Sequence, residues 1–220
     1  MKIHAIPQRS DDWFRVRLGK LTSSDAATIY AQGRAKGSES TSRRNLRLAL
    51  ALQRVTGRGA PSYQNQAMLD GIEREAEARR LYQAVSGEWI DETGFCEHDT
   101  LAAGCSVDGH TPEFRGLVEI KCPQPAAHWE FIETGIVPQD YVYQITHQAW
   151  ITGAEWTDFV SYNPDFPEPM VLKIVRVETR LLDLQSHEQA VRAFLSEVDA
   201  LVEQMREKMK TGVDFRQRPL

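Results

Sequence analysis

The residues of this chain best suited to chemistry are Asp108, Glu119 and Lys121. Asp108 lies in the Gly-flanked turn CSVDGH, and ten residues separate it from Glu119-Ile120-Lys121. On a strand, residues two apart project to the same face, so Glu119 and Lys121 point one way while Ile120 points into the core. Two carboxylates and an ammonium then meet at one end of a hairpin. Hard oxygen ligands of this kind suit Mg²⁺ or Mn²⁺, which bind through one or two carboxylates and keep several waters. The lysine could orient or deprotonate an attacking water, or offset charge on a transition state. As a bare pattern D-x(10)-E-x-K is weak, the alternative being an ion pair on an exposed strand face. It gains weight because Glu119-x-Lys121 is the only acid-x-Lys triplet in a chain of seven lysines.

The elements that must hold these groups follow from periodicity and punctuation. Thr22-Ser23-Ser24-Asp25 ahead of Ala-Ala-Thr-Ile-Tyr reads as a helix N-cap, and GRAKGSEST (33–41) as a mobile loop. Arg43 to Thr56 reads as a helix stopped by Gly57. A longer helix runs from about Asn65 to Ser86, closed by Gly87 and carrying Glu73, Glu75 and Glu77. WIDETGFCEH, LAAGCSVDGH and RGLVEIKCP read as three neighbouring strands in a meander. AHWEFIET and DYVYQITHQAWIT read as helices ended by Gly135 and Gly153. WTDFVSYN and MVLKIVRVE read as two more strands, the second apolar enough to be central, and 181–210 as a closing amphipathic helix. The order predicts a mixed α/β domain, a sheet flanked by helices. It forms one unit over 1–220, with a basic helical part at about 1–60, a core at about 61–180 and a C-terminal helix at about 181–210.

Composition agrees: 220 residues, 41% hydrophobic and 26% charged, are ordinary values for one soluble globular domain. No run approaches the roughly 18 apolar residues of a membrane span, and the start MKIHAIPQRSDDWF lacks the apolar core of a signal peptide. The expected location is the cytoplasm. Cys96, Cys105 and Cys122 show no C-x-x-C spacing, which points to buried reduced thiols rather than a disulfide framework, a zinc site or an iron–sulfur cluster. His98, His110, His128, His147 and His187 lack metal-ligand spacing and read as structural, as do Trp13, Trp129, Trp150 and Trp156. Charge is segregated: residues 1–60 hold twelve basic against four acidic side chains, a net of +8, leaving −13 for the rest within a total of −5. A basic first quarter suits either a polyanion-binding wall or a solvated helical face.

Five blocks, RLGKLTSSD, GIEREAEARRLY, GCSVDG, VEIKCP and YQITHQAW, in this order and at these separations, resemble the phage lambda exonuclease type of viral recombination nuclease, within the PD-(D/E)XK nuclease superfamily. The resemblance spans nearly the whole chain, from about Asp12 to the closing helix. Val107 stands before Asp108 where the superfamily pattern has Pro. The resemblance implies a restriction-endonuclease-like core. Asp108, Glu119 and the backbone carbonyl of Ile120 would ligate the principal metal, Lys121 would activate the nucleophilic water, and Glu75 would assist a second metal. Arg17, Ser24, Ser106 and Gln144 match a pocket for a 5′-phosphate. A guanidinium fork, hydroxyls, an amide and a helix start suit one anion. Arg34 matches a residue that grips DNA ahead of the site. Met68 takes the place of an apolar wedge that splits the terminal base pair, a position that helical spacing equally allows in a core.

The implied function is a two-metal Mg²⁺-dependent, processive 5′→3′ exonuclease. It would degrade one strand of linear duplex DNA from 5′-phosphorylated ends and leave 3′ overhangs. The family's form is a ring-shaped homotrimer working with a single-strand annealing protein, in a bacterial host and encoded by a phage or prophage. A structure- or sequence-specific endonuclease on the same fold and a non-catalytic DNA-end-binding recombination module are the alternatives. The cysteine count excludes the iron–sulfur helicase-nuclease relatives.

Overall fold

Two four-stranded sheets meet at the short segment that carries Ser106 and Asp108. The structure, a computed structural model, describes residues 1–35, 37–59 and 66–211, the side chains of 66–73 excepted. The first sheet is built from β1 (Lys2–His4), β2 (Leu21–Thr22), β3 (Phe95–Glu97) and β4 (Ala103–Cys105), in the order β1-β3-β4-β2. The second contains β5 (Gly109–His110), β6 (Gly116–Lys121), β7 (Trp156–Tyr162) and β8 (Leu172–Glu178), in that order. Strand β6 pairs antiparallel with β5 and parallel with β7. The parallel pair needs a crossover, supplied by α4 (Pro125–Thr134) and α5 (Gln139–Thr152).

The remaining helices are α1 (Asp11–Arg17), α2 (Thr41–Thr56), α3 (Gln66–Ser86) and α6 (Leu184–Thr211). Helix α3 packs on one face of the second sheet through Ala78 and Tyr82 against Val118, Ile120 and Val160. The other face is covered around Phe131, Ile145 and Phe159. The largest core joins the first sheet to α2, α5 and α6 through Leu21, Leu50, Ala103, Ile151, Phe194 and Val198. The expected helix-flanked mixed α/β architecture is therefore present, divided between two sheets. Gly57 and Gly87 end α2 and α3 at φ of +65° and +71°, a left-handed turn that costs glycine least.

Four expectations need correction. The three expected strands do not form one meander, because the chain leaves the first sheet after Cys105 and enters the second at Gly109. Strand β8 lies at the sheet edge, and β7, buried at every residue, is central. Its polar side chains look unsuited to a core, yet Asp158 accepts hydrogen bonds from Tyr82 and Arg176, and Ser161 pairs with His128. Residues Ser23–Tyr30 form a 3₁₀ helix without a side-chain cap, because Thr22, held extended in β2, turns its hydroxyl to Asp25 at 2.7 Å. Cys96 and Cys105 are buried free thiols, whereas Cys122 is only half-buried.

Much of the basic first quarter is consumed internally. Arg43 and Arg47 each bridge Glu39 and Glu197, and Arg54 reaches Asp199, so α2 is stapled to α6. Among the described residues Lys2, Arg17, Arg34, Arg44 and Arg58 make no salt bridge, which leaves a smaller basic surface than the charge count implies. No described helix is long and apolar enough to cross a membrane.

Helix α5, α6 and the 3₁₀ segment are tied together by a buried chain. His147 Nδ1 lies 3.0 Å from His187 Nε2, and His187 Nδ1 lies 2.8 Å from the Tyr30 hydroxyl. Burial, then the neighbouring His187, lowers His147 to about 3, and burial lowers His187 to about 4. Both rings are thus neutral when folded, while in the unfolded chain they take up protons below about pH 6.5. Their contribution is complete above that value and is lost as pH falls toward 4. The thermal midpoint is expected to hold steady between pH 7 and 8 and to decline from pH 6.5 downward, with a shallower decline in the double variant His147→Gln/His187→Gln. Equal slopes for wild type and double variant in a thermal-melt series would remove the two histidines as the cause.

Candidate active site

Strand β6 delivers Glu119 and Lys121 to the face covered by α5. Glu119 is only 1% exposed, so its carboxylate must be satisfied internally. Lys121 Nζ lies 2.6 Å from its Oε1, and Gln144 Nε2 donates to the same oxygen at 2.7 Å. Gln148 Nε2 donates to Oε2 at 2.5 Å. Gln144 closes the ring by accepting from Lys121 Nζ through Oε1 at 3.3 Å. The Tyr141 ring stands 4.8 Å from the same ammonium. Burial alone would lower Lys121, but Glu119 and then Asp108 outweigh it and push the ammonium up to about 12.

Asp108 enters from the crossing between sheets. Its Oδ2 accepts the Ile120 amide at 2.7 Å, which locks the turn onto β6. Burial first, then Glu119 and Glu75, push its carboxyl well above the usual range, with Lys121 and the Ile120 amide opposing. Glu75, on α3, is held by Arg9 at 3.0 Å and by Arg79 at 3.1 Å. Arg79 also donates to the Asp108 carbonyl at 3.0 Å, so α3 is linked to the same turn. Among the described residues no group of three or more His, Cys, Asp or Glu side chains is gathered closely enough to hold a metal. The donor chemistry nevertheless fits a hard divalent cation. Asp108 and Glu119 offer ionisable carboxyl oxygens of the hard type such a cation takes, and Mg²⁺ needs only one or two carboxylates beside its waters.

A second cluster is joined to the first by the segment Ser106-Val107-Asp108. Ser106 donates to the Gly94 carbonyl at 2.7 Å and accepts from Trp13 Nε1 at 2.9 Å. Arg17 reaches the same hydroxyl at 3.4 Å and stacks over the Trp13 ring, 4.0 Å from its centroid. Burial lowers the Arg17 guanidinium, opposed by Asp25, whose carboxylate is turned to Thr22. Arg17 lines a cleft of about 730 Å³ between α1 and α2 together with Lys20, Thr22 and Gln53.

The expected site residues therefore fall into separate places. Asp108, Glu119, Ile120 and Lys121 come together, and Gln144 joins them through hydrogen bonds to Glu119 and Lys121 rather than to Arg17. Arg17 and Ser106 meet, whereas Ser24 is exposed and bonds to Thr22 at 3.0 Å. Glu75 lies beside the site in its arginine pairs. Arg34 is exposed on the loop before α2, and Met68 is on α3 with its side chain outside the described residues. Sequence reasoning missed Gln148, Arg79 and the N-terminal turn, where Gln8 binds the Thr93 and Val107 carbonyls and Arg9 holds Glu75. The four-residue spacing of Gln144 and Gln148, which puts both on one face of a helix, was a usable signal for the first.

A family model described as the YqaJ-like viral recombinase domain matches residues 12–155. The alkaline exonuclease LHK-Exo from Laribacter hongkongensis is 36% identical over 92% of this chain and 99% of its own, with a TM-score of 0.82. Its complex with dAMP aligns over the same shares at 36% identity and a TM-score of 0.83. A phage-related exonuclease from Haemophilus somnus 129PT, 14% identical over 84% of this chain and 96% of its own, has a TM-score of 0.64 and shares the fold. No curated protein matches the sequence. The architecture is that of the PD-(D/E)XK nucleases.

Burial and the neighbouring Glu119 and Glu75 disfavour the charged form of Asp108, so a neutral amide at this position should stabilise the cation-free protein. Asp108→Asn keeps an acceptor for the Ile120 amide and removes one charge. In chelator the variant is expected to melt higher by about 2–4 °C, the equivalent of about 1 kcal/mol. Added Mg²⁺ should raise the midpoint of the wild type but not of the variant. A variant that melts lower in chelator would contradict a disfavoured charge at Asp108.

Proposed function

Because the chain belongs to the YqaJ-like viral recombinase family, we propose that it is a Mg²⁺-dependent, processive 5′→3′ exonuclease. It digests one strand of linear duplex DNA from 5′-phosphorylated ends, releases mononucleotides and leaves 3′ overhangs for recombination by strand annealing. One observation carries this reading. Arg17, part-buried and, among the described residues, without a salt bridge, reaches Ser106, two positions before Asp108 in the centre it forms with Glu119 and Lys121. An anion site beside a cation site suits a strand held by its terminal phosphate while the neighbouring phosphodiester is cut. The alkaline exonuclease complex with dAMP, a 5′-nucleotide, supports the same reading.

Asp108, Glu119 and the Ile120 carbonyl would hold the principal ion, Mg²⁺ or Mn²⁺, and Glu75 would assist a second. When bound, such ions supply Lewis-acid polarisation of the phosphodiester and a more acidic water. Lys121, held as an ammonium beside Glu119, orients the attacking water and offsets charge on the transition state. Gln144 fixes the lysine and the glutamate relative to each other. Arg17 and Ser106, with Ser24 nearby, receive the 5′-phosphate that each excision exposes and draw the duplex forward by one nucleotide. Arg34 contacts the duplex ahead of the site, and Met68 separates the terminal base pair. The working form is a homotrimeric ring around DNA, with a single-strand annealing protein as partner, in the cytoplasm of a bacterial host.

Digestion in Mg²⁺ of linear duplexes with 5′-phosphate or 5′-hydroxyl ends, beside a closed circle, tests the reading. Mononucleotides should appear fastest from phosphorylated ends and not at all from the circle. Cutting of the circle would replace the proposal with an endonuclease, and binding without cleavage would replace it with an end-binding module. Arg17→Ala should abolish the preference for phosphorylated ends and shorten the tracts digested in the presence of a DNA trap. Arg17→Lys, which restores the charge but not the fork, should recover only part. Undiminished phosphate preference in Arg17→Ala would take Arg17 out of the pocket.

A further inference from the structure

Glu119 presents two carboxylate oxygens, and the donors around them are unevenly shared. Lys121 and Gln144 both bind Oε1. Among the described residues Oε2 has a single donor, Gln148 Nε2, at 2.5 Å. Gln148 is 0% exposed on α5, one turn beyond Gln144. Its own Oε1 is buried without a hydrogen-bond partner. The orientation of this amide is fixed by chemistry, because an ionised carboxylate only accepts and so must face the NH₂. Burying an amide oxygen with no donor destabilises the fold, and an apolar side chain of similar volume at this place would avoid that cost. Packing therefore does not account for a glutamine here, whereas its one bond does.

We infer that Gln148 is a positioning residue for the cation site, fixing the rotation of the Glu119 carboxylate. Lys121 and Gln144 anchor one oxygen only, and the carboxylate plane could still swing about that anchor. The Gln148 bond holds the second oxygen and leaves the remaining lone pairs in one fixed direction. Three donors occupy three of about four acceptor positions on the carboxylate, which leaves room for one further ligand. Because α5 also carries Gln144 and Tyr141, one rigid helix sets the orientation of Glu119 and the place of Lys121 together. The inference rests on the reading of Glu119 as a metal ligand.

Gln148→Met keeps the length and volume of the side chain and removes the donor. Calorimetric titration of the DNA-free protein with Ca²⁺ reads the site without turnover, and digestion of a 5′-phosphorylated duplex in Mg²⁺ separates kcat from KM. Loss of a group that orients a metal ligand typically costs 10–100-fold in metal affinity or activity. The expected result is Ca²⁺ binding weakened 10–100-fold, kcat lowered to a similar extent and KM for DNA ends unchanged. Gln148→His, which retains an N–H at similar reach, should recover part of the affinity. Wild-type Ca²⁺ affinity in Gln148→Met would overturn the inference. So would failure of both Gln148→Met and Gln148→Leu to fold, since Gln148 would then be a packing residue. Glu119→Gln separates this failure from that of the underlying reading. If it binds Ca²⁺ as tightly as wild type, Glu119 is not a ligand. If it loses Ca²⁺ while Gln148→Met keeps it, only the role of Gln148 falls.

Discussion

A carboxyl group with 1% of its surface exposed is tolerated only where the protein replaces the water it has lost, and the architecture around Glu119 is arranged to do so. Its partners arrive from two elements: Lys121 from the same strand, and Gln144 and Gln148 from the helix that covers it. Strand β6 must therefore be covered by α5 at one register, with Gln144 and Gln148 one turn apart facing the sheet. The parallel pairing of β6 with β7 follows from this cover, because α4 and α5 make up the crossover that joins them. The opposite face is apolar and packs on α3, which also carries Glu75 and Arg79 to the rim of the site.

The two sheets share one segment, and that segment links the two halves of the site. After β4 the chain places Ser106 against Trp13 and Arg17, then turns Asp108 onto the backbone of β6. A close approach helps hold the strands. A Cβ on Gly104 would come within 2.3 Å of the Phe95 ring, so only glycine permits β3 and β4 to meet just before this crossing. The N-terminal turn closes the other side, with Gln8 fixed to the Val107 carbonyl and Arg9 to Glu75.

How much was legible follows from where the information lies. Glycine stops and hydrophobic spacing are local, and they fixed α2, α3, α4 and α5 to within a few residues. The Glu119-x-Lys121 triplet was legible because a strand puts alternate residues on one face. The central place of β7 was hidden because its Asp158 and Ser161 are satisfied by Tyr82, Arg176 and His128, up to 76 positions away. The basic first quarter misled in part for the same reason. The carboxylates that neutralise Arg43, Arg47 and Arg54 lie on α6, about 150 residues later. Gln148 was legible only through its spacing of one turn from Gln144; its meaning comes from the oxygen it faces.

The long reach of the Trp13–Ser106 contact, 93 positions apart in the chain, has a consequence for synthesis. A ribosome makes the arginine pocket's first half early and its second half much later, and pairings of such separation are slow to close. The carboxylate centre follows later still, because its last donor, Gln148, emerges 29 positions after Glu119. A nascent chain shorter than this has only pieces of either cluster. Both clusters are complete only once the chain has been made past Gln148.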